Sequence, residues 1–214
     1  YAFAQTSMSP IIYETLDYAS GIADAEGRLL TQGNGVTGFI GMISPMICAV
    51  VEKHGKENLH PGDVYIINDP FMGGGTHMSD VGMVMPIFYH DELIAFAGNK
   101  AHWSDIGGMA PGSFTTDATN LYQEGMCFSG TKLVDRGELV EPVWDLMRSN
   151  MRYPQVVGCV NSGATAAYAG VKVVFMSVVG PELAVNDGVF APLRTICEPG
   201  SVLKANRPAA TSCY

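Results

Sequence analysis

The chain has 214 residues, 47% apolar and 15% charged, a core-forming composition that excludes an intrinsically disordered polypeptide. Its 12 Lys and Arg against 21 Asp and Glu leave a net charge of −9, which excludes a nucleic-acid surface because phosphate binding needs clustered cations. The five cysteines, Cys48, Cys127, Cys159, Cys197 and Cys213, are scattered and lack C-x-x-C spacing, so neither a disulfide framework nor a zinc ribbon is expected and a cytoplasmic location is.

In chain order, Ser9-Pro10 followed by Ile11, Ile12 and Leu16 predicts a helix of about three turns carrying Glu14 and Asp17. Gly21 to Gly33 alternates and turns at Asp24-Ala25-Glu26-Gly27, a hairpin pattern. Phe39 to His54 has apolar residues at helical spacing and stops at Gly55, with Pro45 a source of a kink. After the turn Pro61-Gly62-Asp63, Val64 to Ile67 reads as a short buried strand that delivers the chain into Asn68-Asp69-Pro70 and Gly73-Gly74-Gly75.

Val81 to Tyr89 and Leu93 to Ala101 are apolar, β-favouring runs joined by His90-Asp91-Glu92, a second hairpin. Asp105 to Gly130 is glycine-rich and weakly patterned, a long loop that covers or forms a site. Glu141 to Arg152 is helical, with Val143, Trp144, Met147 and Met151 facing the core. Beyond Tyr153-Pro154, Ala164 to Val179 reads as a helix and Ser201 to Ala210 as an extended segment. The longest apolar run there, Val171 to Val179, contains Lys172 and is far below the roughly 18 to 20 residues that cross a bilayer.

The fold class expected is mixed α+β, with antiparallel hairpins, flanking helices and a long glycine-rich loop. Residues 1–154 form a core domain that holds the site, and residues 155–214 a C-terminal segment.

Two copies of a His-x-Ser-Asp pattern, His77-Met78-Ser79-Asp80 and His102-Trp103-Ser104-Asp105, flank the second hairpin. Counting back from a turn centred near Asp91 sets Asp80 opposite His102, where Cα atoms are roughly 4.5–5.5 Å apart. His77, three residues upstream, folds over the pair. Two imidazoles and a carboxylate suit zinc, manganese or iron, and three protein ligands leave positions open for water or substrate. The plainer reading is of polar loop residues, or of histidines that hold the core by hydrogen bonds. Gly73 to Gly75 and Gly107-Gly108 favour the metal, since glycine-rich loops cost entropy unless the backbone must approach closely.

The stretches Gln5 to Glu14, Asn68-Asp69-Pro70 with Gly74-Gly75-Thr76-His77 and Asp80, Lys100-Ala101-His102-Trp103 with Ile106-Gly107-Gly108, Pro111-Gly112-Ser113 and Tyr122-Gln123-Glu124-Gly125 together resemble the hydantoinase B/oxoprolinase family. The resemblance runs unbroken from about Ala4 to Tyr153. Members of that family are far longer and continue through a large middle region before a stretch like Asn186-Asp187-Gly188 and Glu198-Pro199-Gly200-Ser201. Here the two parts almost adjoin near Gln155 to Cys159, so the chain reads as a fragment of a larger polypeptide.

The resemblance implies that His77, Asp80 and His102 are the metal ligands. Asp17 is a candidate fourth ligand or catalytic carboxylate, or a helix residue facing solvent. Asp105 is the candidate to orient His102 through its other ring nitrogen. Glu124 is either a general base or a loop cap, and Lys100 either binds an anionic substrate or pairs with a carboxylate.

The implied activity is ATP-dependent opening of a cyclic amide: a hydantoin, 5-oxoproline or a lactam. No G-x-x-x-x-G-K-[ST] loop occurs, so ATP is expected on an A-type ATPase partner within a hetero-oligomer. The alternatives are the alpha-type subunit of an ATP-dependent ketone carboxylase and a non-catalytic structural subunit. Neither nucleic acid nor membrane is an expected partner.

Overall fold

The structure, a computed structural model, describes residues 9–33, 35–112 and 115–152. Among them are strands β1 (Tyr18–Asp24), β2 (Leu29–Gln32), β3 (Val64–Ile67), β4 (Asp80–Tyr89), β5 (Glu92–His102), β6 (Ser129–Asp135) and β7 (Glu138–Leu139). They form one antiparallel sheet in the order β2-β1-β5-β4-β3-β6-β7. Helices α1 (Pro10–Tyr13), α2 (Thr37–His54) and α3 (Glu141–Ser149), with single 3-10 turns at Lys56–Asn58 and Leu121–Gln123, complete the regular structure of the described residues, which is the mixed α+β class read from the sequence.

The central hairpin turns on two residues, His90 (φ 46°) and Asp91 (φ 63°), and Glu92 already belongs to β5. Positive φ at both central positions marks the turn whose twist matches that of its strands. Tyr89 therefore pairs with Glu92 and Phe88 with Leu93, but Ile87 pairs with Ala95, leaving Ile94 as an extra residue. That bulge shifts the register by one, so the far end pairs Asp80 with His102 rather than with Ala101.

Both faces of the sheet are covered, which explains why β4 is buried at every position but its last. On one face α2 packs Ile43, Met46, Ile47 and Val50 against Ala23, Tyr65, Ile67, Val84 and Phe96. The helix comes close because the strands beneath it carry glycine. A Cβ on Gly98 would lie 2.7 Å from Ile43 Cγ2 and 2.8 Å from Met46 Cε, and one on Gly82 2.6 Å from Met46 Sδ. On the other face Ile22, Ile66, Met83, Met85 and Ala97 meet Trp144 and Met147 of α3, with Ile106, Phe128 and Met151 from the loops.

The first helix is shorter than its pattern predicts. It makes a single turn, ending with Glu14 as its cap, and Leu16 takes a left-handed φ of 59°. Pairing of Tyr18 with Ala101 begins two residues later, so the sheet captures the chain before a second turn forms. Helix α2 runs unbroken through Pro45 and α3 ends at Ser149. The loop from Asp105 ends two residues sooner than expected, since Ser129 opens β6, and the β6–β7 hairpin through Arg136 and Gly137 has no counterpart in the predicted elements.

Asp63 ties that hairpin down. Fully buried, it accepts hydrogen bonds from His60 N (3.0 Å), Tyr65 Oη (2.9 Å) and Arg136 N (2.9 Å), and pairs with Lys132 Nζ at 3.0 Å. No helix among the described residues is long and apolar enough to cross a membrane. The helix read at 164–179, the extended segment at 201–210 and the division after residue 154 lie outside the described residues.

Candidate metal centre at the open end of the central hairpin

Asp80 and His102 form the last rung of the β4–β5 ladder, and opposed residues share a face. His102 Nδ1 lies 3.0 Å from Asp80 Oδ1. The chain before β4 turns back, Asp80 N donating to His77 O (3.1 Å), and brings His77 Nε2 to 2.9 Å from the same Oδ1. The two rings stand 5.1 Å apart at a 39° tilt. Asp80 and His102 are buried, while His77 is partly open. This is the trio expected from the sequence, brought together by the predicted register.

The donor set fits a divalent ion. Two ring nitrogens and one carboxylate oxygen lie within 4.8 Å of one another, and imidazole with carboxylate is the chemistry of zinc, manganese and iron sites. Burial pushes the Asp80 carboxyl up, but hydrogen bonds from His102, His77 and Thr76 outweigh it and hold the group well below the usual carboxylate range. His77 moves the opposite way. Its hydrogen bond to Asp80 raises its proton affinity against burial, and the charges of Asp80 and, more weakly, Glu124 add to that.

The triple glycine is required by close approach. A Cβ on Gly74 would sit 2.5 Å from Ile67 Cγ1 and 2.8 Å from Asp69 N, and one on Gly75 2.8 Å from Asn68 O. Asn68 fastens the loop from within: its Nδ2 donates to Met78 O (2.6 Å) and Met126 O (3.0 Å), and its Oδ1 accepts from Phe128 N (2.6 Å). Asp69 caps the loop through Phe71 N and Ser129 Oγ.

Lys100 shares the face of His102 two rungs below, opposite Gly82. Of the two roles weighed for it, neither anion binding nor a carboxylate pair is what its hydrogen bonds make. Its buried Nζ donates to Gly74 O and Asp80 O, each at 2.6 Å, stapling the glycine loop to β4. Burial lowers its pKa to about 8, with the Asp80 charge opposing.

The three supporting carboxylates occupy different places. Asp17 precedes β1, one step beyond the Tyr18–Ala101 pair, and its carbonyl accepts from His102 N (3.1 Å), so it flanks His102 on the side away from Asp80. It is strand-leading rather than helical, and it is not among the three residues whose ligand atoms converge. Asp105 is buried but turned to other partners, accepting from Gly107 N (2.9 Å), Arg152 N (2.6 Å) and Arg152 Nη1 (3.0 Å). His102 Nε2, which Asp105 was expected to hold, has no hydrogen-bond partner among the described residues.

Glu124 sits half-buried on a turn laid across the segment that follows His102. Met109 N donates to Gln123 O (2.7 Å) and Met126 N to Ile106 O (2.8 Å), with a bridge between Gly107 and Gly125. A Cβ on Gly108 would collide with the Glu124 carbonyl, which explains the glycine pair there. Arg152 also donates to Gly108 O, so the residue after α3 clamps this loop.

Thr76, Lys100 and Arg152 as loop fasteners are absent from the candidates that sequence reasoning yields. Thr76 stands within the quoted glycine run, four residues before Asp80, but a lone threonine in a loop carries no signal of its partner.

The chain is 35% identical over 177 residues to the B-type polypeptide of a putative D-/L-hydantoinase from a Pseudomonas species, covering 80% of this chain and 30% of that protein. The crystal structure of the ATP-dependent caprolactamase from Pseudomonas jessenii superposes with a TM-score of 0.67 at 30% identity, over 84% of this chain and 30% of that one. A nucleotide-free acetone carboxylase shares the fold, with a TM-score of 0.75 at 21% identity over 84% of this chain and 24% of that one. The chain thus spans less than a third of the length of these relatives. The pattern of the hydantoinase B/oxoprolinase family matches two stretches, residues 1–157 and 153–214, and with them the whole of the sequence: the chain belongs to that family.

Proposed function

We propose that this chain is the metal-dependent catalytic part of an ATP-dependent cyclic amidase that opens a hydantoin, 5-oxoproline or lactam ring. ATP is bound by an A-type ATPase partner in the same hetero-oligomer. The observation that carries the reading is the convergence of His77 Nε2 and His102 Nδ1 on Asp80 Oδ1 at the open end of a rigid hairpin. Family membership, and relatives whose names specify a hydantoinase and a caprolactamase, support the amide ring as substrate.

A divalent ion held by His77, Asp80 and His102 supplies Lewis-acid polarisation of a ring carbonyl at neutral pH. The chain's own groups do the rest. Asp80, ionised and held at Oδ2 by the Thr76 hydroxyl, turns Oδ1 toward the same point as the two ring nitrogens. Glu124, on the glycine-bounded turn and with a charge that reaches His77, accepts the proton of the attacking water and returns it to the ring nitrogen as the C–N bond breaks. Asp17 flanks His102 from the residue before β1 and Asp105 anchors the Glu124-bearing loop pair to Arg152, so both act by placing groups.

Ketone carboxylation is the competing reading; the acetone carboxylase likeness supports it only at the level of fold. The deciding assay uses the assembled complex with ATP and a hydantoin, 5-oxoproline or caprolactam, against acetone with bicarbonate. Ring-opened product formed without bicarbonate supports the amidase. Turnover that strictly requires bicarbonate and ketone overturns it. A His102→Ala variant that leaves both metal content and the activity of the complex unchanged overturns the site assignment, and one that loses the fold supports a structural subunit.

A further inference from the structure

The Asp80 carboxylate is divided between two sets of donors. Oδ1 faces His77 Nε2 at 2.9 Å and His102 Nδ1 at 3.0 Å, while Oδ2 accepts the Thr76 hydroxyl. Resting on the metal reading above, we propose that Thr76 is a positioning residue that occupies Oδ2, restricts Asp80 to ligation of the ion through Oδ1 alone, and so keeps a coordination position for substrate.

The placement of Thr76 is built rather than incidental. Asp69 O accepts from Gly74 N (2.8 Å), and the Lys100 ammonium joins Gly74 O to Asp80 O at 2.6 Å each. The loop is thereby fixed on both sides of the hydroxyl. Gly75 admits no side chain, because its Cβ would lie 2.8 Å from Asn68 O, so the backbone runs close against Asn68 just before Thr76. A carboxylate free at both oxygens can ligate through both, whereas one whose second oxygen accepts a hydrogen bond is turned toward that donor and offers the oxygen less readily to a metal. Partners of this kind commonly set metal affinity by 10–100-fold.

The test compares the full chain with Thr76→Val, which keeps the shape and loses the donor, and Thr76→Ser, which keeps the donor. Zn2+ affinity is read by competition with a chromophoric chelator, and coordination number from the visible absorption of the Co2+ form. Thr76→Val is expected to bind Zn2+ about 10–100-fold more weakly, because the carboxylate must turn from the point where Oδ1 meets both imidazoles, with weaker Co2+ bands as Asp80 becomes bidentate, and Thr76→Ser to stay within about threefold of wild type. If Thr76→Val does not fold, Thr76→Ala takes its place. Wild-type affinity and spectrum in the hydroxyl-free variant overturn the proposal, as does a serine variant as impaired as the valine one. Failure of the metal reading is distinguishable: there His102→Ala leaves Zn2+ affinity unchanged in the parent chain.

Discussion

Asp80 and His102 face each other across the last rung of the central hairpin, Oδ1 to Nδ1 3.0 Å, because a single extra residue at Ile94 corrects the register of a two-residue turn. Without it Asp80 would stand opposite Ala101, and His102 would project from the other face of the sheet. A backbone irregularity some distance along the ladder thus assembles the candidate site.

Removing the second imidazole tests the site's chemistry apart from the fold. His102→Ala is expected to keep the far-UV circular dichroism of the parent and to lose its metal. Turnover of the assembled complex should fall by about 10³-fold or more, since a Lewis-acid ion contributes several kcal/mol at the transition state. Metal content and ring-opening rate, measured on the same preparation, check it.

Glu124→Gln separates proton transfer from metal binding. The amide keeps the size of the side chain and the backbone contacts of the loop, so metal content is expected to be unchanged. Loss of a general base costs about 10²–10⁴ in rate. Undiminished turnover would return Glu124 to the role of a loop residue.

Much of the site is legible in the sequence, and the register comes out right for a physical reason. Symmetric counting about Asp91 sets Asp80 opposite His102. The actual turn is centred between His90 and Asp91, half a residue earlier, and the bulge at Ile94 restores the difference. The alternation of Val84, Phe88 and Phe96 against Met83, Met85 and Ala97 gives the strands but conceals the bulge.

The β6–β7 hairpin escapes sequence reading because only Gly130 and Leu133 of β6 are buried, too few for a period of two to show. The first helix is over-read for the opposite reason. Ile11, Ile12 and Leu16 fit a helical face, but pairing of Tyr18 with Ala101 wins over propensity. The partners of Asp105 and Lys100 depend on contacts between distant residues, Arg152 and Gly74, which spacing cannot reveal.

Close packing under α2 predicts a packing defect. Gly98→Ala places a methyl group 2.7 Å from Ile43 Cγ2, a β-branched side chain with little freedom to move. Overpacking of this kind costs about 1–3 kcal/mol, to be read as a lower midpoint in urea unfolding with the slope unchanged.

Alkaline pH should weaken the fold through Tyr65. Burial, then the hydrogen bond to Asp63 and that residue's charge, push its phenol up to about 12 from an ordinary 10.0. Between those values the unfolded chain has released the proton and the native chain keeps it. The unfolded state therefore binds fewer protons, and stability, whole below pH 10, falls as pH rises toward 12. Urea unfolding at stepped alkaline pH should show this slope, and Tyr65→Phe should flatten it.

The central claim is a divalent ion on three named atoms. Anomalous X-ray scattering at the absorption edge of Zn2+ or Mn2+, from crystals of the full chain grown with that metal, tests it most directly. The account predicts one strong peak contacted by His77 Nε2, Asp80 Oδ1 and His102 Nδ1. Metal-replete crystals with no peak at those atoms, or a peak only elsewhere, would contradict it.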